Sequence, residues 1–217
     1  MKKKSIRRVV CGIFSALFLV SGIVFSPSPV LALDNGQEDR PEKYSRGELA
    51  QMLAPVALYP DVLLTHVLMA STYPVEVVEA ERWIRKNPKL TAENLDDQLL
   101  EQPWDPSVKA LCHFPSILKL MSERISETAE IGNAFLAQQA EVMDVVQELR
   151  DKANWQGTLV SSAEQKVVVE KETVIIEPRN PGVVYVPYYD PYWAYGPWWY
   201  PAYPPWYWGP PGVYVRY

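Results

Sequence analysis

Apolar residues recur at intervals of three and four through most of the chain after residue 44, which is the spacing of one helix face. Ser45 and Glu48 fit a capping box, in which each side chain bonds the other residue's backbone N–H. Asp105 and Pro106 mark another helix start, as an N-cap carboxylate and a first-turn proline. Together these signals predict helices after Ser45 and over residues 62–71, 74–86, 91–102, 106–111, 115–121 and 127–152.

The longest of these predicted helices spans residues 127–152. Phe135, Val142 and Leu149 repeat every seven residues along it, and Gln138 and Gln139 lie between them. The pattern therefore predicts one continuous helix that forms part of the core.

The pattern changes after Gly157 from helical spacing to short runs rich in β-branched residues. Residues 166–170 and 173–177 form two such runs, joined by Lys171 and Glu172, and predict a hairpin. A third run at 183–186 follows Pro181 and Gly182. The predicted fold class is α+β and mainly α, with a multi-helix domain at 45–187 that ends in an antiparallel hairpin or three-strand unit.

Residues 188–217 form a low-complexity tail rich in Pro, Tyr and Trp. Because proline fixes φ and removes backbone donors, the tail is expected to be extended rather than a long helix or a central strand. Exposed aromatic clusters of this size are typical of binding surfaces. The rings predicted to bind are Trp193, Trp198, Trp199, Tyr200, Trp206, Tyr207 and Trp208.

The predicted partners of the tail are an envelope protein, a cell-wall glycan or a membrane interface, because Trp and Tyr combine an apolar face with a polar group. The tail has no cluster of Lys or Arg, which argues against nucleic acid. One alternative remains open: the tail is a strap that folds back and buries its rings on its own domain.

Residues 1–32 have the three parts of a secretory signal: a basic start, an apolar run and a small-residue exit at Ala32. Cleavage after Ala32 predicts an exported protein of the periplasm or cell envelope, in which residues 33–44 form a polar linker. An uncleaved N-terminal membrane anchor is the alternative. Removal of the signal leaves 16 Lys and Arg against 26 Asp and Glu, a formal net charge of −10. Such a charge suits a soluble acidic protein.

Several ordered blocks resemble one bacterial family. They are MLAPVALYPD at 52–61, ASTYP at 70–74, QPWDPSVK at 102–109, AFLAQQ at 134–139, and IEP at 176–178 leading to VYVP at 184–187. Together they resemble the family called domain of unknown function 3300. The resemblance implies an exported protein with a low-complexity tail after this domain, and it brings no catalytic residues and no activity.

The candidates for catalytic chemistry are few. After signal removal Cys112 is the remaining cysteine, and it is adjacent to His113, so the two side chains are expected to point in different directions on a helix. We therefore predict that Cys112 is a buried, unreactive thiol. His66 lies among leucines and is expected to lie on a helix face. No spacing of ligands indicates a metal or a cofactor, and none is predicted.

The favoured function is a non-enzymatic, exported envelope protein that binds through its aromatic tail. An envelope glycan hydrolase is the enzymatic alternative, because a pair of carboxylates is what glycoside hydrolysis requires. Glu76, Glu79 and Glu81, or Asp105 with Asp190, are the pairs that the sequence offers.

Overall fold

A computed structural model describes residues 44–180 and 182–209. Within these residues nine helices and two strands are present. In chain order they are α1 Arg46–Leu53, α2 Asp61–Ala70, α3 Pro74–Lys86, α4 Ala92–Leu100, α5 Pro106–Leu111, α6 Pro115–Glu123, α7 Ile125–Ala137, α8 Gln139–Trp155, β1 Gln165–Glu170, β2 Thr173–Pro178 and α9 Pro191–Tyr195.

The helix starts follow the local signals. The Ser45 backbone N–H donates to Glu48 Oε2 at 2.8 Å and the Glu48 N–H to Ser45 Oγ at 3.4 Å, so the predicted capping box is formed. Asp105 Oδ1 accepts the Ser107 N–H at 2.8 Å in front of Pro106, as predicted. Because caps depend on residues within one turn, the sequence locates them well.

The long helix predicted over 127–152 is wrong, since the chain breaks between α7 and α8. Gln138 lies at the break with φ −154° and ψ 58°. Its buried side-chain amide forms two bonds with the backbone of Tyr44, accepting from the N–H at 2.7 Å and donating to the carbonyl at 3.0 Å. We attribute the helix break to this tertiary contact with Tyr44. The apolar positions continue on both sides of the break, with Ile131 and Ala134 buried in α7 and Val142 buried in α8.

The strands form the predicted antiparallel hairpin, in which Val167 is paired with Ile176. Lys171 makes the turn with φ at 57°. Val174 and Ile176 of β2 are fully buried against the helices. Within the described residues the sheet has two strands, because the expected third run contributes one isolated bridge, from Asn180 to Val183. The fold is thus mainly α, with a small antiparallel sheet.

Arg150 of α8 is a buried charged residue that is 2% exposed. Its guanidinium donates to the carbonyls of Ala57 at 2.8 Å, Tyr59 at 3.0 Å and Val174 at 2.9 Å. The same group forms an ion pair with Asp61 at 2.6 Å. The planar fork of Arg suits such divergent acceptors, so this side chain joins the α1–α2 connection to α8 and β2.

The described helices and the free cysteine bear on two expectations from the sequence, a membrane anchor and a buried thiol. Among residues 44–180 and 182–209, no helix is long and apolar enough to cross a membrane. The predicted signal and its cleavage point lie outside the described residues. Cys112 is fully buried at the end of α5, as predicted.

Candidate functional site

The aromatic segment, defined here as residues 188–209, begins with a short helix that two local signals explain. Asp190 Oδ1 accepts the Tyr192 N–H at 2.8 Å, and Pro191 occupies the first helical position of α9. Gly196 then reverses the chain with φ at 72°, a conformation that favours glycine. A Cβ at Gly196 would also collide with the side chain of Gln156. The segment therefore turns back toward α8.

Tyr189 and Tyr195 anchor this turn in the core. Their rings pack edge to face with centroids 6.0 Å apart, and both hydroxyls donate to the Ala54 carbonyl, at 2.8 Å and 2.6 Å. The Tyr189 hydroxyl also accepts the Leu58 N–H at 3.3 Å. Burial holds the pKa of both tyrosines well above the ordinary value, so both remain neutral donors.

Beyond Gly196 the segment binds α8 through Glu148. Trp199 Nε1 donates to Glu148 Oε1 at 2.8 Å and the Tyr200 hydroxyl to the same atom at 3.2 Å. Arg46 pairs with the other carboxylate oxygen at 2.6 Å. Burial acts to raise the pKa of Glu148, but the hydrogen bonds from Arg46 and Trp199 outweigh it and leave this pKa below its ordinary value. Lys152 lies 4.9 Å above the Trp199 ring, within cation–π range.

The end of the segment crosses α1 and reaches α7. The Trp206 N–H donates to the Gln51 carbonyl at 3.0 Å, and Gln51 Nε2 donates to the Pro204 carbonyl at 2.7 Å. Trp208 is 2% exposed, and its indole N–H donates to Glu127 Oε2 at 2.6 Å. Each of these polar groups has a partner, which is what burial of this segment requires.

The seven predicted binding rings fall into different environments. Trp208 is buried, whereas Trp193 on α9 is 38% exposed. The other five, which are Trp198, Trp199, Tyr200, Trp206 and Tyr207, are half-buried. Trp198 and Trp199 lie with centroids 4.7 Å apart. Residues 188–209 thus pack on the helical domain, as the strap alternative expects, and the binding role of the seven rings stays a prediction.

A cavity of about 170 Å³ lies beside Trp193. Its walls come from the connection between α1 and α2, the connection after α8, the start of β1, residues 185–187 and the aromatic segment. They include Leu58, Leu159, Gln165, Tyr185, Tyr189 and Trp193. The sequence did not predict this cavity, because Gln165 and Leu159 carry no signal that links them to the aromatic segment.

The residues considered for nucleophilic chemistry do not form a pair. Cys112 is buried, its thiol faces the Val108 carbonyl at 3.6 Å, and burial raises its pKa to about 12. His113 instead contacts Asp96 at 2.9 Å on the surface. Burial lowers the pKa of His66, which favours the neutral ring on α2.

The carboxylates considered for hydrolysis have structural partners. Glu76 accepts the Asp105 N–H at 2.6 Å and Glu79 accepts the Trp104 indole N–H at 3.2 Å. Glu81 pairs with Arg85 at 3.2 Å. Asp105 and Asp190 cap α5 and α9. In the described part of the chain, no group of three or more His, Cys, Asp or Glu side chains is placed to hold a metal ion.

Comparisons with known proteins agree with the residue blocks. Residues 45–217 match the family described as "Protein of unknown function (DUF3300)". The chain is 42% identical over 200 residues to the "Uncharacterized protein YacH" of Escherichia coli (strain K12), over 77% of this chain and 32% of that protein. The chain thus spans about a third of the length of that relative. No solved structure matches. With most of its length inside the family match, the chain belongs to the DUF3300 family.

Proposed function

We propose that this chain is a non-enzymatic, exported protein of the bacterial cell envelope that binds another molecule on the surface formed by α9 and the neighbouring cavity. Its partner is drawn from an envelope protein, a cell-wall glycan or a membrane interface. The observation that supports this most is Trp193, which is 38% exposed beside an apolar cavity while other rings of the segment are packed as structural anchors.

The rings of the aromatic segment differ in their contacts and in their exposure. Trp199 and Tyr200 donate to Glu148 on α8 and Trp208 donates to Glu127 on α7, so these rings hold the segment on the fold. Tyr192 and Trp193 of α9 remain exposed, at 56% and 38%. A concave apolar site with a few polar groups is the usual form of a ligand site. Binding is therefore assigned to α9 and its cavity, and anchoring to the rest of the segment.

Export is supported by the tripartite pattern of residues 1–32 and by the acidic remainder of the chain. We assign no catalytic residues in this proposal, because the candidate carboxylates already have structural partners and the candidate thiol is buried. The carboxylates of Glu76 and Glu79 each hold a backbone or indole N–H, and the thiol of Cys112 is fully buried.

Retention of the purified chain on envelope fractions tests the proposal. Separate assays use isolated cell-wall glycan, inner-membrane vesicles and a detergent extract of envelope proteins. We expect Trp193→Ala to abolish retention on one of them at an unchanged thermal midpoint. Trp155→Ala is the matched control, because Trp155 is 83% exposed at the end of α8 and does not line the cavity.

Equal retention of the wild type and Trp193→Ala on every fraction would refute the assignment to α9. Failure of the wild type to be retained on any fraction would refute the binding function itself. A loss of retention in Trp155→Ala as well would show that general surface aromaticity, rather than this site, determines binding.

A further inference from the structure

We propose that the cavity beside Trp193 binds a small organic cation, an ammonium group that carries methyl or other alkyl substituents, between its aromatic walls and the Glu164 carboxylate. This inference rests on the proposed binding function and names the chemistry of its ligand. The charge of the wall, its aromatic rings, the hydrogen bonds already made around the cavity and its size support the proposal.

The cavity wall carries a negative charge. Among the described residues that line the cavity, Glu164 is the charged one, and neither Lys nor Arg is among them. The Ser162 hydroxyl donates to Glu164 Oε2 at 2.6 Å, which holds the carboxylate in place. Arg179 Nε lies nearby and donates to the Ser162 carbonyl at 3.0 Å, but the ion pairs of the described residues do not include Glu164. The carboxylate therefore attracts a cation and repels an anion.

Three aromatic residues, Tyr185, Tyr189 and Trp193, line the same cavity. The face of an aromatic ring is partly negative and attracts a cation within about 6 Å of its centre, most strongly in Trp. The cavity is partly open to solvent and Trp193 is 38% exposed, so a solute can reach this wall. Burial raises the pKa of Tyr185, and the Glu164 carboxylate raises it further. The carboxylate and the aromatic wall are thus close enough to act on one ligand.

The hydrogen bonds around the cavity favour a cation that has few donors of its own. Thr158 Oγ1 donates to the Ala194 carbonyl at 2.6 Å, and the Ser162 hydroxyl already donates to Glu164. A buried primary ammonium needs an acceptor for each of its N–H groups, and a buried sugar needs a partner for each hydroxyl. An alkylated ammonium has fewer N–H groups or none, and its alkyl groups suit apolar walls such as Leu159.

The size of the cavity fits one small headgroup. Its volume is about 170 Å³. An apolar cavity of about 150 Å³ in another protein binds benzene. A trimethylammonium group is similar in size to benzene and thus fits the space, whereas a chain of several sugars does not.

A pair of probes with the same shape isolates the charge. One is choline, and the other is its neutral tert-butyl analogue, in which carbon replaces the quaternary nitrogen. A cavity that recognises apolar surface alone would prefer the neutral analogue, because that ligand has no charge to desolvate. We expect the wild-type chain to bind choline about three- to tenfold more tightly than the analogue, as measured by calorimetry and by the chemical shifts of the Trp193 indole.

Two substitutions separate the carboxylate from the ring. Glu164→Gln should reduce the preference for choline by about two- to threefold, because an exposed carboxylate contributes modestly to ion pairing. Trp193→Leu should reduce it as well, because Leu keeps apolar surface but has no π face. The matched control is Glu170→Gln, which removes the same charge at the exposed end of β1, does not line the cavity and should leave the preference intact. All three side chains are exposed, so the thermal midpoint should stay unchanged.

Vesicles then identify the source of the cation. Retention on phosphatidylcholine vesicles but not on phosphatidylglycerol vesicles, with release by free choline, would support a lipid headgroup. A choline preference in a chain that no vesicle or envelope fraction retains would support a free solute and would refute the proposed function alone.

Two results would overturn the inference. One is binding of choline that is equal to, or weaker than, binding of the neutral analogue by the wild type. The other is a preference unchanged in both Glu164→Gln and Trp193→Leu, which would place the cation outside this cavity. Either result, combined with retention on an envelope fraction that Trp193→Ala abolishes, would leave the proposed function standing without this ligand.

Discussion

Replacement of Trp208 by Ala should destabilise the whole domain, because its side chain is buried between the aromatic segment and α7. The side chain is 2% exposed, and truncation of a buried Trp costs about 3–5 kcal/mol. For a domain of this size about 1 kcal/mol shifts the thermal midpoint by about 2–4 °C, so the expected fall is about 6–20 °C. Glu127 loses its indole donor but keeps Arg124 at 3.3 Å, which limits any additional cost.

Urea unfolding followed by far-UV circular dichroism, together with calorimetry, measures this change. Trp155→Ala serves as the control, because Trp155 is 83% exposed and such substitutions usually change stability by less than about 0.5 kcal/mol. A Trp208→Ala midpoint within about 1 °C of the wild type would show that the aromatic segment does not contribute to the fold, and the anchoring argument would then fail.

Four further predictions follow from other features. Cys112 should resist thiol reagents in the native state, because it is buried and its pKa is raised to about 12, and Cys112→Ala should cost about 1–2 kcal/mol in urea unfolding without changing binding. Arg150→Ala should cost about 3–5 kcal/mol by the same assay, and Arg150→Lys should recover little, since one ammonium cannot reach three divergent carbonyls. The pKa of Glu148 is lowered in the fold, so its contribution to stability is complete above the ordinary value of 4.5 and is lost as pH falls through the folded pKa. The free energy of unfolding, measured from pH 6 to 3, should therefore depend less on pH in Glu148→Gln than in the wild type. N-terminal sequencing of envelope protein should begin at Leu33, and a start at Met1 would indicate an anchored chain.

Local features of the fold could be predicted from the sequence because their causes lie within a few residues. Ser45 with Glu48, and Asp105 with Pro106, mark helix starts through contacts made inside one turn. The hairpin followed from two β-rich runs. The break at Gln138 could not be predicted, because it depends on the backbone of Tyr44, which is 94 residues away in the chain.

The candidate site, too, could be predicted from the sequence only where its causes are local. Composition identified the aromatic segment, and the need of a buried indole N–H for an acceptor is a general rule. The acceptors themselves, Glu148 and Glu127, lie 51 and 81 positions from their indoles and resemble ordinary surface carboxylates in the sequence. Arg150 likewise reads as a solvent-facing helix residue until the carbonyls around it are known.

The strap has a consequence for the order in which this protein can fold. The Tyr195 hydroxyl meets the Ala54 carbonyl across 141 positions, and Gln51 meets Pro204 across 153. Residues 51 and 54 are synthesised well before residues 195 and 204, so these two contacts are among the last that can form. Contacts between residues so far apart in the chain form slowly, because closing the long loop between them costs conformational entropy. Completion of the fold therefore waits for the C-terminal segment, and a chain cut short before residue 195 lacks the contacts of Tyr195 with Ala54 and of Pro204 with Gln51.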